Sequence, residues 1–256
     1  MGKLGLNNVE VIVADISTFE MEGSYDRIIS IGMFEHMKNY KFLLKKISSW
    51  MKADGFLFVH FFCHKTYAYH FEDDNEDDWI TKYFFSGGTM PSTNLLLYFQ
   101  DDVVVVDHGL VNGKHYAQTC EEWLKKMDKN INATKPIMES TYGKASAVKW
   151  IAYWRTFFIS IAELFSYNNG EEWMDTHYLF KKNKRSWNEA HVGHVSLKTD
   201  SPSISQGTTF KAVVQPDLTN LPEISRKQSN DSDRKDCWNL VAMELRFFVV
   251  FKRMRQ

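Results

Sequence analysis

Two side chains of complementary acid–base character, Glu35 and His36, sit together in residues 25–40 (YDRIISIGMFEHMKNY). A carboxylate beside an imidazole can take a proton near neutral pH, because the anion raises the basicity of the ring. The chemistry on offer is that of a general base. The same dipeptide also suits a plain helix start with a solvated histidine. What favours chemistry is the frame around it: Ile28, Ile29 and Ile31 read as a buried parallel strand, Gly32 as a turn, and Met37 onward as the next helix. In an open parallel sheet, ligands gather beyond the carboxyl ends of the strands, where Glu35 and His36 would lie.

The neighbouring segments continue this pattern. Residues 9–14 (VEVIVA) form a β-branched run that ends at Asp15, so a second strand end carries an acid. Residues 41–51 (KFLLKKISSWM) repeat apolar side chains at helical spacing, with Ala53, Asp54 and Gly55 expected to close the helix, and residues 56–62 (FLFVHFF) read as a third buried strand. Strand, helix, strand in this order implies parallel pairing through a right-handed crossover, hence an α/β fold. From 63 to 116 the periodicity dissolves into His- and aromatic-rich stretches with an acidic run at 72–78, which reads as a lid over a site. Helices are expected over 119–130, with Thr119 as cap, and over 145–164, followed by a last strand over 173–180.

Composition narrows the function classes. A chain of 256 residues suits one sizeable domain, and a net charge of -1 gives no electrostatic case for nucleic acid. Cys63, Cys120 and Cys237 are odd in number and widely spaced, which indicates neither a disulfide framework nor a metal site and suits a reducing, cytoplasmic setting. Residues 1–6 carry no apolar signal core, and Leu6 stands where a myristoylation signal needs Ser or Thr. Three of the five prolines, Pro202, Pro216 and Pro222, fall among polar residues after about Lys184, so residues 184–236 are expected to be disordered. The apolar stretch 240–251 is interrupted by Glu244 and Arg246 and is shorter than the roughly 20 residues that span a bilayer, which leaves a membrane-surface helix as its alternative use.

Six segments in order, VIVADISTF, YDRIISIGMFEHMKNY, FLFVHFFCHKTYAYHF, WITKYFFSGGTMPSTNLL, HYAQTCEEWL and YWRTFFISIAELF, resemble plant coclaurine N-methyltransferase-like proteins and, more distantly, the bacterial cyclopropane fatty acid synthases. The resemblance covers about residues 4–183. It implies a class I, Rossmann-like methyltransferase domain that binds S-adenosylmethionine and acts on amine nitrogens of benzylisoquinoline-type alkaloids, or on lipid double bonds in the bacterial branch. By the same resemblance Asp15 and Ile16 contact the adenine, and Glu35 and His36 deprotonate or orient the substrate amine. His60 and Tyr116 match positions that help hold a bicarbonate base in the cyclopropane synthases, or are buried polar groups bonded to backbone. Trp154 and Phe157 match walls of the alkaloid pocket, or are plain helix core; Tyr83, Phe84 and Tyr98 stay unassigned. Gly32 departs from the alkaloid enzymes, which carry an acid at that position, and agrees with the lipid branch.

No Gly-x-Gly loop precedes Val9. The expected fold is therefore an incomplete class I sheet (family order 3-2-1-4-5-7-6) without its first two strands, leaving a gap of about 10 Å between 9–14 and 28–31. Residues 1–183 form the partial domain, with 63–172 its lid and substrate-side helices, and 184–256 a largely disordered tail. Cofactor binding is expected to be impaired, because that loop lets the backbone approach the ligand. The alternative is a noncatalytic remnant that binds a hydrophobic amine or lipid. The expected partner is a small-molecule amine or lipid, with no nucleic acid and no stable membrane insertion, and a homodimer is left open.

Overall fold

A computed structural model of the chain describes residues 9–183, 208–215 and 246–253. The β-branched opening run forms β1 (Val9–Val13), and the isoleucine run forms β2 (Tyr25–Ile31). Glu35 and His36 occupy a single 3-10 turn, Phe34–His36, and α1 (Tyr40–Trp50) begins at Tyr40 rather than at the expected Met37, which is extended. Asn39 caps α1 by accepting a hydrogen bond from the Phe42 amide at 3.1 Å, which satisfies one of the donors a helix start leaves open. β3 (Met51–His64) follows at once, so Ala53, Asp54 and Gly55 do not stop the helix as expected but lie inside the strand. They form a bulge against β2: the register slips between Tyr25 and Arg27, and the chains crowd so closely that a Cβ at Gly55 would lie 3.0 Å from the Tyr25 carbonyl oxygen.

The stretch expected to be only a lid contains a strand of the main sheet. After β4 (Tyr69–His70), α2 (Trp79–Tyr83) and β5 (Thr89–Met90) comes β6 (Val103–Val111), whose valine run was hidden by the His- and aromatic-rich text around it. α3 (Lys114–Lys129) begins five residues ahead of its expected Thr119 cap, and the Thr119 hydroxyl instead donates to the His115 carbonyl inside the helix. α4 (Ile131–Tyr142), α5 (Ala147–Ser166) and β7 (Trp173–Lys182) complete the body.

β7 is not the last strand. β8 (Thr208–Gln215) and β9 (Arg246–Arg253) belong to the same sheet, whose order is β1-β8-β9-β2-β3-β7-β6. Part of the stretch expected to be disordered, and of the stretch given a membrane-surface helix as its alternative, is thus strand. The rest of 184–256 lies outside the described residues. The reason is local: TTFKAVVQ and RFFVVFKR are rich in β-branched and aromatic residues, a signal that averaging over the polar tail conceals. Together the two strands stand where two family strands were expected to be missing, and they pair with the edges of β1 and β2 that would otherwise leave backbone groups unbonded. β8 runs parallel to β1, whereas β9 is antiparallel to both β8 and β2.

The remaining pairings follow the expected frame: β2 and β3 are parallel across α1, β7 inserts antiparallel to β3, and β6 closes the edge. One sheet face packs Ile28, Leu57, Val59, Phe61 and Phe180 against Leu43, Leu44 and Ile47 of α1, forming the main core. The other face receives α5 and α3. Trp154, Phe158, Ile161 and Phe165 recur at helical spacing along α5, and the small Ala117 and Cys120 of α3 let the two helices approach. Among the described residues, no helix is long and apolar enough to cross a membrane.

Candidate active site

The catalytic-looking dipeptide is held by backbone geometry. Gly32 ends β2 with φ of 59°, a left-handed conformation that favours glycine, and its amide donates to the His60 carbonyl at 3.0 Å. That reversal carries the chain over the carboxyl end of β3 and into the 3-10 turn. Glu35 is consequently buried, with 3% of its surface exposed, while the His36 ring stacks on Phe85 with centroids 5.3 Å apart. The lid clamps the turn from above. At Gly88 a Cβ would stand 3.3 Å from the Glu35 carbonyl oxygen and 3.3 Å from the Phe71 ring, closer than ordinary contact, so a side chain there would need the turn or the ring to yield slightly.

Strand periodicity brings the next groups to the same place. His60 and Phe62 on β3 point to the helical face of the sheet, and β7 sets Asp175 opposite Phe62 and His177 opposite His60. The His60 Nε2 lies 3.7 Å from an Asp175 carboxylate oxygen, and its buried Nδ1 has no hydrogen-bond partner among the described residues. Burial, then the adjacent His177, pushes the His60 ring below the usual histidine range, so it is neutral at pH 7. Asp175 experiences the converse. Burial alone raises its carboxyl from 3.8 to about 7. Glu35 affects the surroundings too: after burial itself, its carboxylate is the next cause holding the Tyr40 phenol above its usual range.

Glu35, His60 and Asp175 share one cavity of about 350 Å³. Glu35, His36, His60, Tyr116, Trp154 and Phe157, nominated separately from the sequence, all line it. Asp175 lines it as well and was not nominated, because nothing in the strand text WMDTHYLF marks its one acid as cavity-facing; the register with Phe62 decides it. The α3 and α5 helices supply the roof. Tyr116 meets Phe165 edge-on at 4.8 Å, and the Trp154 indole donates to the Tyr142 hydroxyl at 3.4 Å. Of the unassigned lid aromatics, Phe84 stacks on Phe157 at 4.4 Å and Tyr83 meets Tyr153 at 4.7 Å, while Tyr98 is exposed. A chamber with aromatic walls and two carboxylates suits an apolar body bearing a cationic or proton-donating group.

Asp15 and Ile16 do not line this cavity. The Asp15 carboxylate accepts from the Ser17 amide at 2.9 Å and from the Ser17 hydroxyl at 2.8 Å, closing a tight turn after β1, and the Ile16 side chain is in the main core. The described residues therefore fit S-adenosylmethionine only in part. The acid at the end of β1, Asp15, is the group that the family resemblance assigns to the nucleoside. Between β1 and β2, however, the strand beside β2 is β9, which runs antiparallel and so brings no strand-to-helix turn to the carboxyl edge for the amino-acid end of such a ligand.

In order and direction β1, β2, β3, β7 and β6, with a reversed strand one position in from the edge, define a Rossmann-like class I methyltransferase sheet. Residues 3–207 match the mycolic acid cyclopropane synthetase family, and the chain belongs to it. It is 54% identical over 184 residues to (S)-coclaurine N-methyltransferase of Thalictrum flavum subsp. glaucum, covering 70% of this chain and 51% of that protein. Its identity to (S)-coclaurine N-methyltransferase of Papaver somniferum is 55% over 183 residues, covering 70% and 52%. A crystal structure of coclaurine N-methyltransferase bound to N-methylheliamine and SAH superposes with a TM-score of 0.65 at 52% identity, covering 70% of this chain and 55% of that one. The chain spans about half the length of the curated relatives it matches.

Proposed function

We propose that this chain is the substrate-side part of an S-adenosylmethionine-dependent N-methyltransferase acting on benzylisoquinoline-type amines. The observation that carries the reading is the convergence of Glu35, His36, His60, Tyr116, Trp154 and Phe157 on one cavity, joined to the identity with amine N-methyltransferases over the same segments. A protonated amine has no lone pair, so it must lose its proton before it can attack a methyl group. Glu35 and His36 sit at the chamber wall where that proton would be taken, and such a base contributes about two to four powers of ten in rate. The rings of Trp154 and Phe157 hold the apolar body. S-adenosylmethionine supplies the methyl group, bound weakly because only the Asp15 end of its site is present among the described residues. Two cavity carboxylates favour an amine over a lipid as substrate, although Gly32 agrees with the lipid branch.

The test is incubation with methyl-labelled S-adenosylmethionine at millimolar concentration and 1-benzyl-1,2,3,4-tetrahydroisoquinoline, with tryptophan fluorescence followed in parallel. The expected result is saturable quenching and slow label transfer, with transfer falling about 100- to 10,000-fold in Glu35→Gln. Absence of quenching would refute the amine reading. Quenching without any transfer would mean that the chain binds the amine but does not methylate it.

A further inference from the structure

Asp175 is an acid without a cationic partner among the described residues. Its side chain is 13% exposed, and among the described residues the sole group within 4.0 Å able to pair with it is His60, at 3.7 Å. His60 is itself held neutral by burial and by the neighbouring His177. A buried carboxylate in this condition costs stability unless something positive arrives to compensate it. The main chain places it on purpose-built ground: the antiparallel register of β7 with β3 sets it beside Phe62 on the cavity face, whereas its neighbours Met174 and Thr176 turn to the opposite side and are buried. Gly32, on the other flank of the same cavity, has no side chain to offer.

We propose that Asp175 is the ammonium-recognising carboxylate of the cavity, binding the protonated nitrogen of the substrate amine and fixing it between the Trp154 and Phe157 rings and Glu35. The inference rests on the amine reading of the preceding section and names the residue that gives that site its charge selectivity. Asp175 is then a specificity residue, distinct from Glu35, which removes the proton. An ammonium in this position meets a carboxylate and aromatic faces together, the arrangement that gives cations their strongest hold in a dry site. A neutral ligand of the same shape gains only the aromatic contacts.

The experiment compares 1-benzyl-1,2,3,4-tetrahydroisoquinoline with 1-benzylisochroman, its neutral analogue with oxygen in place of nitrogen, by fluorescence titration at pH 8 on the full chain and on Asp175→Asn. The expected outcome is that the substitution weakens the amine about 10- to 100-fold and leaves the isochroman within about twofold. Equal losses for both ligands, or none for either, would overturn the assignment. The unsubstituted chain supplies a second reading that needs no variant: it must favour the amine over the isochroman by a comparable factor, and a preference for the isochroman also overturns it. If neither ligand binds the unsubstituted chain, the amine reading fails and the role of Asp175 falls with it; if both bind but charge selectivity does not follow Asp175, the amine reading stands and only this inference is lost.

Discussion

Asp175 makes the cavity measurable without any ligand. Its carboxyl is raised from 3.8 to about 7, so between those pH values the folded chain holds a proton that the unfolded chain has released. Stability therefore falls as pH rises through this window, the reverse of a salt-bridged acid, and the loss is complete above about pH 7. Asp175→Asn carries no such charge. The variant is expected to match the parent near pH 4 and to melt higher at pH 8, by a difference on the order of 1–4 kcal/mol. Thermal melts at both pH values check this, and identical slopes in the two proteins would show that the carboxylate is not desolvated. A cost of this kind at a cavity wall is the usual mark of a group kept for binding rather than for folding. His64 offers a contrast. Its Nε2 lies 3.0 Å from a Glu172 carboxylate oxygen and its Nδ1 accepts from the Thr66 and Tyr67 amides, so all its capacity is spent on tying the lid to the sheet.

The elements position these side chains through a few close backbone approaches. Gly113, just before α3, has the tightest: a Cβ there would collide with the carbonyl oxygens of Trp173 and Phe165. Both collisions are with backbone, which cannot rotate away. Gly113→Ala is thus expected to push α3 outward, carrying Tyr116 from the cavity, at a cost of about 1–3 kcal/mol. A urea melt with amine titration checks the two effects together, and a change in neither would mean the helix has room that the geometry denies. Periodicity made β1, β2, α1 and α5 legible within a few residues, since each carries an uninterrupted apolar pattern of its own. It missed β6, because a strand at the sheet edge exposes residues such as Val106 and Leu110 and sits among lid text with no period. It misplaced the start of α3, because Thr119 has the chemistry of a cap but the Asn112 side chain accepts from the Lys114 amide at the true beginning.

For the molecule as a whole, the decisive event is the insertion of β8 and β9 between β1 and β2. Without them two strand edges would be bare, and β1 would lose the one ladder it makes among the described residues. A chain ending at Asn183 is therefore expected to lose its cooperative melt or to aggregate, which circular dichroism and size-exclusion chromatography would reveal; an unchanged midpoint would mean that the later strands add nothing. Val11 and Val13 of β1 and Ile31 of β2 remain exposed, as a sheet of mixed parallel and antiparallel pairings allows on a solvated face.

Much of this was written locally in the chain. Glu35 and His36 could be placed beyond a strand end from the isoleucines and Gly32 alone, because strand alternation and turn chemistry act between near neighbours. The convergence of Tyr116, Trp154 and Phe157 on them needed the family resemblance first and the packing of α3 and α5 on the sheet to realise it. The inward aim of Asp175 and the filling of the sheet by distant strands were decided only by tertiary structure. Register and strand order depend on contacts between segments far apart along the chain, and no local pattern encodes which partner a strand will find.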